Sequence, residues 1–333
     1  MMFLVGLMGL MAVGATAIYG FEGTSSEDDS DPSLRSGPDD EHNEDAESDG
    51  LSNLILDEEP DVLPDDGTID WGGEDDDTIE GTAGLDQLNG YEGNDEVHGL
   101  EGDDRLLGDD GDDSLYGDEG NDVLHGGSGY DMLFGGDDDD ELYGHDDDDT
   151  LYGEDGNDSL IGSDGDDVLH GGAGDDALHG DLGDDTLVGD EGADTLFGGW
   201  GDDVINGVPE GADDGTVDYL NGGGGDDLIV AGKDDIVSAG EGADTIALGD
   251  WLNQDHQAEI LDYSVAEDSL MVVYDDTTGD EPDMSIEEDE DDPDRQHVVM
   301  NGVRIALVES DEEVTLDQII LIGQSTLNSL TAA

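Results

Sequence analysis

The stretch GDEGNDVLH (117–125), read beside GGAGDDALH (171–179) and GDLGDDTLV (180–188), decides the fold. Each block has Gly first, Asp sixth and an aliphatic residue eighth. Outward from these copies the phase holds from Gly72 to Asn206, fifteen consecutive blocks of nine without insertion or deletion. Position 1 is Gly and position 6 is Asp in all fifteen; position 8 is Ile, Leu or Val throughout, from Ile79 to Ile205. Position 4 is Gly in twelve blocks, with Asp75, Asp138 and Asp147 as the exceptions. An acidic low-complexity tract would not keep phase at three positions over 135 residues. A strict short period is the signature of a solenoid.

Within one block the last three residues read as extended, with position 8 pointing inward and positions 7 and 9 outward. The first six residues read as a turn. Gly at positions 1 and 4 permits φ > 0, and Asp tolerates that region better than most residues, which accounts for the three exceptions at position 4. Two blocks then make one flat coil, with a strand on each face and a turn at each edge. Block n stacks on block n+2, giving an all-β, parallel architecture.

Stacking sets the position-6 aspartates of blocks n and n+2 side by side, Asp104 by Asp122 and Asp122 by Asp140. Carboxylates that close repel one another, and a hard divalent cation between them reverses the sign. Ca²⁺ accepts six to eight oxygens, carboxylate and carbonyl together, whereas Mg²⁺ demands a tighter octahedron and holds its waters. Softer metals lack their usual ligands, because the chain has no Cys. The candidate ligands are Asp77, Asp86, Asp95, Asp104, Asp113, Asp122, Asp131, Asp140, Asp149, Asp158, Asp167, Asp176, Asp185, Asp194 and Asp203. Past Asn206 the phase loosens: residues 207–221 carry about six extra residues, 222–230 is regular, 231–238 is one short, and 239–247 is the last recognisable copy. These add Asp218, Asp227 and Asp244.

The blocks resemble the repeats-in-toxin (RTX, hemolysin-type calcium-binding) motif GGxGxDxUx. That resemblance implies a right-handed parallel β-roll whose turns hold multiple Ca²⁺ ions on position-6 carboxylates and turn carbonyls. It covers residues 72–247. Position 2 departs from it, being Gly in five of fifteen blocks (73, 127, 136, 172 and 199). If every n, n+2 pair held one ion, the fifteen blocks would hold at most thirteen.

The composition agrees. There are 97 acidic residues against 5 basic ones, a net charge of −92. Self-repulsion at that charge opposes compaction, so a folded part needs cations within it. Nucleic acid is excluded as a partner, since Arg35, Arg105, Lys233, Arg295 and Arg304 are scattered and form no basic patch.

Flanking segments complete the expected organisation. Residues 1–20 contain the apolar run FLVGLMGLMAVGATAIY (3–19), read as an export signal or anchor that engages the membrane or the export machinery. Residues 21–71 read as a disordered acidic linker. Residues 248–333 read as a small antiparallel β domain covering the open end of the roll. Asn301-Gly302 there is a hairpin signal, and Thr315-Leu316-Asp317-Gln318 reads as a capped helical turn. By resemblance this region also carries a type I secretion signal.

Four histidines sit at position 9 (His98, His125, His170, His179). No two lie two blocks apart, so no histidine metal cluster is expected. His98, Tyr116, Phe134, Tyr152 and His170 fall at position 9 of alternate blocks and should stack as an outward aromatic ladder. A glycan or partner surface is the alternative reading of that row. No catalytic motif is present. The expected function is calcium binding by a secreted or cell-surface repeat protein that folds on meeting extracellular Ca²⁺, with a structural or adhesive role toward a surface, glycan or matrix partner. The alternative is a hydrolase-like exoprotein with its site in 248–333.

Overall fold

A computed structural model of the chain describes residues 67–208, 215–249, 257–276, 281–290, 292–310 and 312–323. The apolar segment at 3–19 and the linker up to residue 66 lie outside the described residues. The chain builds two sheets. The first runs β1 (Ile69–Trp71), β3 (Gln87–Glu92), β5 (Arg105–Asp110), β7 (Val123–Ser128), β9 (Glu141–Asp146), β11 (Ser159–Asp164), β13 (Ala177–Leu182), β15 (Thr195–Trp200), β17 (Tyr219–Gly224), β19 (Ile236–Glu241) and β21 (Ala258–Ile260). It ends on β25 (Val303–Glu309), β24 (Arg295–Met300) and β23 (Met284–Glu288). The second runs β2 (Thr78–Glu80), β4 (Glu96–Glu101), β6 (Ser114–Glu119), β8 (Met132–Asp137), β10 (Thr150–Asp155), β12 (Val168–Ala173), β14 (Thr186–Glu191), β16 (Val204–Asn206), β18 (Leu228–Val230), β20 (Thr245–Gly249), β22 (Ser269–Tyr274) and β26 (Ile319–Gly323).

Consecutive strands thus alternate between sheets, and each strand pairs in parallel with the strand one full coil away. Leu151 of β10 lies between Leu133 of β8 and Leu169 of β12, an interval of eighteen residues, or two blocks. The six extra residues before β17 and the one missing before β19 alter only the interval, to Thr195↔Tyr219 and then Tyr219↔Ile236. Both fall between strands, so the ladders pass through undisturbed. The roll starts three residues before the repeat does, because Ile69–Trp71 pairs with β3.

Most strands are six residues long, not three. Each takes positions 7 to 9 of one block and 1 to 3 of the next, so the turn proper is positions 4 to 6. Along a strand such as β10 the buried positions are Leu151 and Gly153, positions 8 and 1. The interior is therefore a file of single aliphatic residues from each sheet, Leu88, Leu106, Leu124 and onward facing Val97, Leu115, Leu133 and onward, all fully buried. Gly at position 1 leaves the room beside them.

Glycine acts differently at positions 1 and 4. Position-1 glycines keep negative φ. Positive φ falls at most position-2 and most position-4 residues. Non-glycine residues at position 2 take it as well, among them Tyr91 (φ 78°), Leu100 (φ 83°), Asp118 (φ 77°) and Glu154 (φ 76°). Asp138 and Asp147 at position 4 do so at φ 82° and 77°, in line with the tolerance of Asp for that region.

Beyond the repeat, β21, β22, β25 and β26 extend the two sheets in parallel, and antiparallel pairing is confined to β23–β24–β25. The expected hairpin joins β24 to β25, with Asn301 at φ 53° and Gly302 at φ 79°. The short turn Leu316–Gln318 is capped by Gln318 Oε1, which accepts the Thr315 N–H at 2.7 Å.

Two glycines with positive φ separate space from dihedral angle. A Cβ on Gly174 would collide with the Gly156 carbonyl of the coil before it, whereas one on Gly302 would meet nothing. Gly302→Ala is expected to cost about 1 kcal/mol, the strain of the left-handed region alone. Gly174→Ala should prise two coils apart and cost several times more. Thermal unfolding in excess Ca²⁺ measures both, and equal losses would contradict the close backbone packing.

Candidate metal centre

The turns place the position-6 aspartates in two files, one along each edge of the roll. One file runs Asp77, Asp95, Asp113, Asp131, Asp149, Asp167, Asp185, Asp203, Asp227, Asp244. The other runs Asp86, Asp104, Asp122, Asp140, Asp158, Asp176, Asp194, Asp218. From Asp86 onward each of these side chains is buried. Successive members are tied by a repeated bond: the backbone N–H of one Asp donates to Oδ1 of the next. Examples are Asp104 N–H to Asp122 at 2.7 Å and Asp122 N–H to Asp140 at 2.7 Å; in the other file Asp113 donates to Asp131 and Asp131 to Asp149.

That bond uses one carboxylate oxygen. The Oδ2 atoms of Asp95, Asp104, Asp113, Asp122, Asp131, Asp140, Asp149, Asp158, Asp167, Asp176, Asp185, Asp203, Asp227 and Asp244 are buried with no hydrogen-bond donor. Except at Asp244, whose block begins with Ala239, each points at the position-1 glycine of its own block. A Cβ on Gly99 would sit 2.5 Å from Asp104 Oδ2 and 2.7 Å from the carbonyl oxygen of Gly117, one coil further on. The same pair of oxygens converges at Gly81, where the distances are 2.5 Å to Asp86 Oδ2 and 2.5 Å to Gly99 O. Position 1 is thus glycine because a side chain would fill this cradle, not because of its φ. That corrects the dihedral reason expected from the sequence.

Buried ionised oxygens without donors are costly. Their acidity shows it. Burial, and then the charges of the neighbouring aspartates, push Asp140 and Asp149 up to about 8 even though a backbone N–H on each pulls the other way. Asp122, Asp131, Asp176 and Asp185 rise to about 7, and Asp104, Asp113, Asp158, Asp167, Asp203, Asp227 and Asp244 to about 6. A cation at the cradle would remove the penalty. Among the described residues no three His, Asp or Glu side chains converge on one point. Backbone carbonyls must therefore complete any shell, a hard all-oxygen donor set that suits Ca²⁺.

The files take in two further aspartates, Asp235 in the shortened copy and Asp268 beyond the repeat. Asp218 N–H donates to Asp235 Oδ1 at 3.1 Å, and Asp244 N–H to Asp268 Oδ1 at 3.2 Å. Asp235-Ile236-Val237 and Asp268-Ser269-Leu270 repeat the Asp-x-aliphatic triplet of positions 6 to 8, the signal that would have found them. At these ends the second oxygen meets protein donors: Gly232 N–H on Asp235, Ser264 N–H on Asp268 and Thr82 N–H on Asp86. At the start of the second file Thr68 stands in the aspartate position and donates its N–H to Asp86 Oδ1.

A second ladder, at position 5, runs the opposite way. Asn121 N–H donates back to Asp103 Oδ1 at 3.2 Å, Asp139 to Asn121 at 3.1 Å and Asn157 to Asp139 at 2.9 Å. This one is exposed. It explains the frequency of Asp and Asn at a position whose variation hid its role.

The expected aromatic ladder is formed. His98, Tyr116, Phe134, Tyr152 and His170 stack with successive ring centroids 4.5, 4.9, 5.1 and 5.2 Å apart. The histidine reading needs one correction. His145, at position 2, lies two residues beyond Tyr143 on the same strand face and reaches His125, with Nδ1 of His125 and Nε2 of His145 2.9 Å apart. Burial, then Arg105 and His145, lower the His125 pKa to about 4.

The model of the RTX calcium-binding nonapeptide repeat matches residues 71–106, 98–133, 131–160, 152–187, 179–207, 214–235 and 231–250, more than half of the chain. The chain belongs to this family of calcium-binding repeat proteins, and its repeats bind several Ca²⁺ ions. No curated protein matches it.

The raised acidities fix a pH dependence. An acid with a higher pKa in the folded than in the unfolded chain holds more protons when folded. Stability then falls as pH rises from the unfolded value near 4 through the folded values, and levels off above them. In calcium-free buffer the unfolding midpoint should drop between pH 5 and pH 8. In excess Ca²⁺ the slope should disappear or reverse, because the ion replaces the protons. Thermal melts across that range check the sign, and a midpoint that rose with pH without calcium would contradict it.

Proposed function

We propose that the roll is a calcium-switched fold that works outside the cell as a secreted or surface-attached structural element. The donorless, buried Oδ2 of the aspartates named for it above carries this reading. In the proposal Asp77 to Asp203, with Asp218, Asp227 and Asp244, supply carboxylate oxygens, and position-1 carbonyls supply peptide oxygens. Where Ca²⁺ is scarce, the stacked charges keep the chain expanded and exportable. Where Ca²⁺ is abundant, it neutralises the files and the position-8 residues close into the core. Binding free energy is then folding free energy, with a site affinity on the order of 10⁻⁴–10⁻³ M, as in extracellular modules.

The rest of the chain fits export. In this reading residues 1–20 direct or anchor the protein, 21–71 tether it, 72–247 form the calcium roll, and 248–333 cover its end and carry a type I secretion signal. Among the described residues no helix is long and apolar enough to cross a membrane. The rigid roll would act as a spacer or adhesive surface toward another cell, a glycan or a matrix.

Calcium counting tests the ligand assignment. The triple substitution Asp122→Asn, Asp140→Asn, Asp158→Asn interrupts one file and leaves the other intact. Equilibrium dialysis in excess Mg²⁺ should show fewer bound Ca²⁺ than for the unaltered chain. Each lost ion should cost about 2.7 kcal/mol where Ca²⁺ exceeds its Kd a hundredfold. Asp110→Asn, at the exposed end of β5, should change neither quantity. An unchanged count in the triple variant would overturn the assignment.

A further inference from the structure

On the second sheet the outward row at position 2 lacks a side chain at two strands, β8 (Gly136) and β12 (Gly172), and the gap at β8 is bordered by acids over aromatic rings. β6 carries Asp118 there and β10 carries Glu154, but β8 between them carries Gly136, in register with both. The missing side chain opens a groove of about 560 Å³. The rings of Tyr116 and Phe134, from the stacked ladder, line it together with Leu100. Five of its lining residues are acids, Glu101, Asp118, Glu119, Asp137 and Glu154, and none is Lys, Arg or His. Because ladder rings cover one another's faces, what they show the groove is an apolar edge.

The groove crosses β4, β6, β8 and β10, so with neighbouring strands about 4.8 Å apart it is about 14 Å long. Carboxylates stand at intervals along it over an apolar floor. A compact metal ion would use the acids and leave the floor idle. A linear aliphatic polyamine uses both, with methylene segments lying on ring edges, as lysine stems lie on apolar surfaces. Its ammonium groups reach carboxylates with charge-assisted hydrogen bonds. We infer that this groove is a binding site for linear aliphatic polyamines, separate from the buried files and open when the roll is folded.

Calorimetric titration of spermine into the full chain, in excess Ca²⁺ and physiological salt, tests it. One tight equivalent is expected. Asp118→Asn with Glu154→Gln should weaken that equivalent tenfold or more, and Phe134→Ala should weaken it while leaving the charge unchanged. Asp110→Asn with Asp164→Asn removes the same charge from exposed strand ends of the other sheet and should change it less than twofold. Circular dichroism confirms that each variant keeps its β signal, so loss of the calcium-bound fold is told apart from loss of the groove. Equal weakening by the two charge-matched pairs, or an unaffected Phe134→Ala, would reduce the binding to diffuse attraction and overturn the site.

Discussion

Everything in this roll depends on one repulsive contact, the stacking of one buried aspartate directly on the next. The period of eighteen residues per coil cannot be kept without it, because position 6 closes every turn. Its Oδ1 is bonded to the backbone of the preceding coil, so the carboxylate cannot swing out to water. Its Oδ2 is aimed at a glycine cradle where a peptide oxygen also converges. A proton can quiet one such group at low pH, but at neutral pH a chain of them requires a cation. The cradle supplies hard oxygens and the files supply negative charge, and Ca²⁺ meets both requirements.

The hydrophobic core by itself is thin. Each nine-residue block buries one aliphatic side chain, while nearly all of its backbone is ordered, and ordering backbone is the main cost of folding. Backbone ladders satisfy the peptide groups but add little net stability each. Domains of ordinary composition close this gap with a thick core. In the proposed reading two files of bound ions take that part, and it is they that let a chain with 97 acidic residues build a compact roll.

The sequence exposed this frame because its determinants are strictly periodic. Positions 1 and 6 never vary across fifteen blocks, position 8 stays aliphatic, and the stacking of block n on n+2 follows from one inward side chain per block. What stayed hidden was where periodicity breaks or where two causes look alike. Glycine at position 1 could serve dihedral freedom or space, and only the approach of Asp104 Oδ2 and Gly117 O to Gly99 separates them. Tyr91 and Leu100 accept positive φ because the coils on either side impose it, a tertiary demand that composition does not reveal. His145 reaches His125 through a two-residue offset that comparison of equal positions misses. Asp235 and Asp268 continue the files with the triplet intact but without the position-1 glycine, Ala231 and Tyr263 standing in its place. Beyond the repeat, β21, β22, β25 and β26 go on pairing in parallel, since the open edges of the two sheets are the nearest partners for their backbone.

The central claim is that calcium, not the sequence alone, completes the fold. Far-UV circular dichroism of the whole chain through a Ca²⁺ titration, repeated with Mg²⁺, tests it most directly. The account predicts little β signal in chelator, a cooperative rise at millimolar or lower Ca²⁺, and no comparable rise with Mg²⁺. A full β spectrum in chelator at neutral pH, or an equal response to Mg²⁺, would contradict it.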